Sequence, residues 1–359
     1  MRVLHLHDRL SDRGGAEVHL RTLIEALSPD HVQTLAVETV DEGVECPCEL
    51  EIVPGLGAGV RAPTDIAGLL QRVRPDIVHV HNVGNPTALT AAARHASVMT
   101  VHDHRSFCPG RGNWTLEGAI CREAMSAETC APCFEAPERL EKMLDITSAR
   151  LAGMEGFHLH VLSDYMAGEL QAVGVSPERI TCIPPALRTP GAPAPAAARD
   201  RILFVGRLSI AKGVDDAMEA WRVSRVGLPL VFAGTGRERQ RIESAGFEVT
   251  GWLDADQLEG WYGRAAAVLL PSRWQEPYGL VGIEALARGI PVVAWESGGV
   301  AEWHPGGDLL VPWGDVGALG RALSKAVAMR HPEREGRGLD RLAERTTSLY
   351  RIVTQQRIP

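Results

Sequence analysis

Two glutamates with seven residues between them, Glu276 and Glu284, stand in the stretch Pro271-Ser272-Arg273-Trp274-Gln275-Glu276-Pro277-Tyr278-Gly279-Leu280-Val281-Gly282-Ile283-Glu284. Leu269 and Leu270 close an apolar run before it, Pro271 and Pro277 forbid regular structure between them, and Gly289 with Pro291 stops the helix that begins after Pro277. The stretch therefore reads as a strand end, a loop and a short helix, with Glu276 just before the first turn and Glu284 about one turn in. A helix start offers unpaired N–H donors and a partial positive charge, which suit a phosphate. Carboxylates beside it accept hydrogen bonds from sugar hydroxyls. The chemistry that fits is recognition of a sugar nucleotide, with the diphosphate on the helix end and hydroxyls on the acids. Glutamate near a helix N-terminus is also favourable through the macrodipole alone, so the reading depends on the rest of the chain.

Other residues supply the missing parts. Gly14 and Gly15 fall between the apolar strand Val3–Leu6 and a helix on which Leu20, Leu23, Ile24 and Leu27 share a face. Glycines in such a turn let the backbone approach a ligand closely, as at phosphate sites of doubly wound folds. His102 ends the strand Val98–Val101, where ligands of open α/β sheets sit, and could donate a hydrogen bond to a sugar hydroxyl or stabilise developing charge. His5, His7, His79 and His81 alternate within strands and read as core residues. Arg207, at the end of the strand Arg201–Val205, and Lys212, just before a helix, are the counter-charges a diphosphate needs.

The segment 107–137 breaks the strand–helix rhythm and carries Cys108, Cys121, Cys130 and Cys133. A long loop in a compact domain needs a reason, and four thiolates around a structural zinc would provide one. Cys46, Cys48 and Cys182 stand apart from that group and take no role here.

The elements that must position these residues alternate as strand and helix through both halves of an α/β chain. With 359 residues two domains are expected. The shift to Pro184-Pro185-Ala186-Leu187-Arg188-Thr189-Pro190-Gly191-Ala192-Pro193-Ala194-Pro195 marks the linker. The expected division is 1–187, 188–338 and a final helix over 339–359, whose stripe of Leu342, Leu349, Tyr350 and Val353 could pack back on the first half. A net charge of −8 argues against a nucleic-acid partner. No apolar run approaches a membrane span, no Lys/Arg-rich amphipathic stretch suggests membrane-surface contact, and no leader pattern opens the chain, so a cytoplasmic location with reduced cysteines is expected.

In this order, Gly14-Gly15-Ala16-Glu17, His102-Asp103, Val205-Gly206-Arg207-Leu208 with Lys212-Gly213, Glu276-Pro277-Tyr278-Gly279-Leu280 with Glu284-Ala285, and Gly298-Gly299-Val300-Ala301-Glu302 resemble glycosyltransferase family 4 over nearly the whole chain. The resemblance implies a GT-B fold: two Rossmann-like domains facing across a cleft, with a C-terminal helix crossing back to the first. It implies a nucleoside diphosphate sugar donor held mainly by the second domain, a small-molecule or glycan acceptor, and retaining transfer without an essential metal. Carried over by position, Arg207 and Lys212 would neutralise the diphosphate, Gly279, Leu280, Gly14 and Gly15 would meet phosphate, and Glu284 would bind the ribose. Trp252 would border the nucleobase, Glu276 would hold the donor sugar, and His102 would contact that sugar near its 6-hydroxyl. The chain departs from the family where many members read Pro-Asn-Gly and it has Pro184-Pro185-Ala186. The competing expectations are a phosphorylase or sulfur/selenium transferase on the same scaffold, and a catalytically silent nucleotide-sugar-binding partner.

Overall fold

The computed structural model describes residues 1–57, 64–115, 117–187, 199–329 and 338–356. Residues 188–195 of the expected linker lie outside the described residues. The chain divides into two compact units: Met1–Gly112, Glu123–Arg188 and Arg337–Pro359 form the first, and Asn113–Arg122 with Thr189–Gly336 the second.

In the first unit seven strands pair in parallel: β1 (Arg2–Leu10), β2 (Val32–Val40), β3 (Glu49–Ile52), β4 (Ile77–Val80), β5 (Ser97–Val101), β6 (His158–Val161) and β7 (Ile180–Cys182). Their spatial order is β3-β2-β1-β4-β5-β6-β7, so the winding reverses between β1 and β4. Parallel strands are joined by crossovers that cover both faces of the sheet. That is why β4 and β5 are buried at every position, polar residues included.

The second unit repeats the scheme with β8 (Arg201–Val205), β9 (Leu230–Ala233), β10 (Glu248–Gly251), β11 (Ala265–Leu270), β12 (Val292–Trp295) and β13 (Leu310–Val311). These are parallel too, in the order β10-β9-β8-β11-β12-β13, and the winding reverses between β8 and β11. Ligands of such sheets gather outside the carboxyl ends at the reversal. Here those ends are Gly206–Lys212 after β8 and Pro271–Tyr278 after β11.

The last helix, Leu339–Gln355, belongs to the first unit. Its stripe of Leu342, Leu349, Tyr350 and Val353 is buried with Val3, Leu23, Ile77 and Val98, as its spacing leads one to expect. Polar contacts fix its register: Tyr350 Oη lies 2.6 Å from His79 Nδ1, Thr347 Oγ1 lies 2.9 Å from His31 Nε2, and Arg345 donates to the Cys182 carbonyl at 2.6 Å. Among the described residues no helix is long and apolar enough to cross a membrane. Tyr350→Phe keeps the apolar contact but leaves a buried imidazole nitrogen unpaired. It is expected to cost about 1–3 kcal/mol, read as a lower urea midpoint; an unchanged midpoint would remove that hydrogen bond from the account of how the helix docks.

Candidate functional site

In the second unit the loop after β11 is tied to the turn after β8. The backbone N–H groups of Arg273 and Trp274 both donate to the Ala211 carbonyl, at 2.9 and 3.1 Å. Gly213 permits this approach: it has φ +74°, and a Cβ there would strike the Pro271 carbonyl oxygen. The result sets Lys212 against Glu276, with Nζ 2.7 Å from Oε1. Ser272 donates its hydroxyl to the same carboxylate, and Lys212 Nζ sits 4.4 Å from the centre of the Trp274 ring. Burial pushes the Glu276 carboxyl up. The charge of Lys212 and the hydrogen bonds from Lys212, Ser272 and Trp274 outweigh that and hold it below the ordinary carboxylate range. Glu276 is therefore a buried anion, compensated by one cation.

Sequence reasoning gave Lys212 to a diphosphate and Glu276 to a sugar; in the structure each is the other's partner. Arg207 is exposed and makes no ion pair among the described residues. Gly279, with φ +88°, caps the helix Leu280–Ala287, so its left-handed backbone turns the chain into that helix. Glu284 lies one turn in and accepts from the Tyr262 hydroxyl at 2.9 Å. Burial pushes its carboxyl up, against the Tyr262 hydrogen bond and the charge of Arg288. Trp252 follows β10 and is 38% exposed.

Sequence reasoning missed Ser272, Trp274 and Tyr262, and the pairing of buried Asp216 with Arg273 at 2.6 and 2.7 Å. Arg273 also lies 5.9 Å from the ring of Trp114, a residue of the Asn113–Arg122 segment that groups with this unit. The Asp216–Arg273 contact spans 57 positions of chain, and no local period reports such a pairing.

In the first unit Gly14, with φ +132°, precedes the helix Gly15–Leu27. His102 follows β5, its Nε2 3.3 Å from His81 Nδ1. His5, His7, His79 and His81 are buried in the sheet, as their alternation suggests. The structure adds His19 and His160 to the same imidazole cluster, with centroids 5.5 Å from His102 to His19 and 5.6 Å from His19 to His160.

Cys108, Cys121, Cys130 and Cys133, expected as a structural metal site, are all partly buried thiols. Among the described residues, the set of three or more metal-capable side chains whose ligand atoms lie within 4.8 Å of one another is His5, His79 and His81, not the cysteines. Cys121 groups with the second unit, and Cys108, Cys130 and Cys133 with the first. The ring nitrogens of His5, His79 and His81 are themselves engaged by Gln33, Tyr350, Thr100, His102 and one another, so that trio is accounted for as hydrogen-bonded core.

Both halves of the chain have counterparts among known proteins. Residues 1–186 match the family model described as a glycosyl transferase 4-like domain, and residues 199–329 match glycosyl transferases group 1. The 2-deoxystreptamine N-acetyl-D-glucosaminyltransferase of Streptomyces fradiae is 29% identical over 397 residues, covering 98% of this chain and 90% of that protein. The glycogen synthase of Mycobacterium tuberculosis is 30% identical over 246 residues, covering 64% of this chain and 54% of the synthase. The chain thus spans about half the length of that synthase, as it does of an uncharacterized glycosyltransferase of Methanocaldococcus jannaschii. The solved structure of Anabaena HepE (Alr3699), in complex with UDP and glucose, matches with a TM-score of 0.65 at 16% identity over 99% of this chain and 98% of that one, a likeness of fold.

The buried imidazoles carry a prediction of their own. Burial lowers His5 and His160 to about 4 and His19 to about 3, from 6.5. Unfolded, these rings protonate near 6.5, so below that value the unfolded chain binds more protons and stability falls as pH drops toward 4. The loss is about 1.4 kcal/mol per pH unit for each such histidine. Urea midpoints measured between about pH 7 and pH 4.5 should fall steadily; a flat profile would contradict the neutral, buried assignment.

Proposed function

The chain belongs to the glycosyl transferases, with a 4-like domain in its first half and a group 1 domain in its second on a GT-B fold, and from that membership we propose that it moves a sugar from a nucleoside diphosphate sugar to a small-molecule or growing glycan acceptor. The observation that carries this reading is the Lys212–Glu276 pair at the strand-order reversal of the second sheet, three residues before the Gly279 helix cap. Lys212 spends one of its three N–H donors on Glu276, which leaves others for a phosphate oxygen. Arg207, without a competing ion pair among the described residues, supplies a second cation. Glu276, held deprotonated, accepts from hydroxyls of the donor sugar, and Glu284 does the same for the ribose.

Transfer proceeds with retention, as in the family this chain resembles. The acceptor oxygen bonds to the anomeric carbon on the face from which the phosphate leaves, the bond from that carbon to the phosphate oxygen breaks, and the acceptor's proton passes to the departing phosphate. No covalent nucleophile is required, and positioning with charge stabilisation supplies most of the rate. Polyhydroxylated small molecules are the first acceptors to screen, starting with 2-deoxystreptamine, named for the Streptomyces fradiae relative that spans nearly all of this chain.

A thermal-shift panel of UDP-, GDP-, ADP- and dTDP-sugars should single out one nucleotide series by several degrees, since a ligand that binds only the folded state raises its apparent stability. No shift with any of them would sink the donor reading. With the donor in hand, Glu276→Ala is expected to cut turnover by about 100-fold or more while changing nucleoside diphosphate affinity far less. Equal loss of both would favour a binding protein without turnover.

A further inference from the structure

Two hydrogen-bonded files of side chains run through the first sheet, and each has a fixed direction. A neutral imidazole holds one N–H donor and one acceptor nitrogen. In the first file the Ile183 carbonyl can only accept, so His160 donates to it from Nε2 at 3.0 Å. His160 Nδ1 then accepts from the Thr100 hydroxyl at 3.0 Å, and the Thr100 oxygen accepts from His79 Nε2–H at 2.7 Å. His79 Nδ1 is left to accept from Tyr350 at 2.6 Å. Every member has a partner of the correct kind.

The second file starts at Gln33. Its amide nitrogen donates to the Ile24 carbonyl at 2.8 Å and to Ser28 Oγ at 3.2 Å, which turns Oε1 toward His5 Nε2 at 3.0 Å. His5 spends its N–H there, so its Nδ1 accepts from His81 Nε2–H at 3.3 Å. His81 Nδ1 in turn accepts from His102 Nε2–H at 3.3 Å. The file ends on His102 Nδ1, a bare lone pair that makes no hydrogen bond among the described residues, on a side chain that keeps some exposure. Burial holds His5 near 4 and lowers His81 and His102 well below the ordinary histidine value, so all three rings are uncharged at neutral pH.

We propose that Gln33, His5 and His81 are positioning residues that lock His102 in its Nε2–H tautomer, so that His102 presents Nδ1 as a hydrogen-bond acceptor at the carboxyl end of β5. It then selects a ligand hydroxyl, which can donate, over a carboxylate or carbonyl oxygen, which cannot. That a sugar supplies the hydroxyl rests on the donor reading above; the tautomer does not.

The test uses the full ligand-free chain labelled with 15N at histidine, near neutral pH, with long-range 1H–15N spectra that report which ring nitrogen carries the proton. The His102 signals are identified by their loss in His102→Gln. The unsubstituted protein should show His102 protonated on Nε2. Gln33→Leu, which removes the acceptor for His5, should turn that into a mixture of tautomers, and Gln33→Glu, which keeps an accepting oxygen, should restore the single form. A proton on Nδ1 of His102 in the unsubstituted protein overturns the proposal and needs no variant to fold. An undisturbed Nε2–H form in both Gln33→Leu and His81→Phe overturns it as well. Donor turnover is scored separately: the expected tautomer without turnover of any nucleotide sugar would defeat the donor reading alone.

Discussion

Parallel pairing is the constraint on which the rest depends. A parallel sheet needs its crossovers on both faces, and it brings all its strands out on the same edge. In each unit the winding then reverses once, between β1 and β4 and between β8 and β11. The residues proposed to bind or react follow the strand ends: Gly206–Lys212 after β8, Pro271–Tyr278 after β11, and His102 after β5. Lys212 and Glu276 are 64 positions apart in sequence and share a hydrogen bond because β8 and β11 are neighbours.

Buried polarity is handled in two ways. The second buries a charge and answers it with another, Glu276 with Lys212 and Asp216 with Arg273. Breaking either pair would strand an ion away from water, which costs far more than the pair contributes. The first unit also buries uncharged rings, and satisfies those of His5, His79, His81 and His160 along hydrogen-bonded files. Such a file specifies direction as well as stability, because reversing one ring leaves two donors or two acceptors face to face.

Much of this was legible in the sequence where the signal is local. Apolar runs marked β4, β5 and β11, the spacing of Leu342, Leu349, Tyr350 and Val353 marked the last helix and its buried face, and the prolines bracketed the loop that carries Glu276. Contacts between distant segments were not legible. Nothing in the neighbourhood of Lys212 announces Glu276, and alternation along β1 and β4 shows that His5 and His81 point inward without showing that they touch.

The last helix has a consequence for how the chain is made. Val3, Leu23, Ile77 and Val98 all come early, but the residues that cover them, Leu342, Leu349, Tyr350 and Val353, come within the final turns of the chain. During synthesis a domain near the N-terminus usually completes its core first. Here the first unit holds an uncovered apolar face throughout translation of the second, and His79 lacks its tyrosine partner for the same interval. The second unit's sheet, β8 to β13, is complete before residue 339. The half that starts first is therefore the half that finishes last, and it is the one in need of shelter on the ribosome.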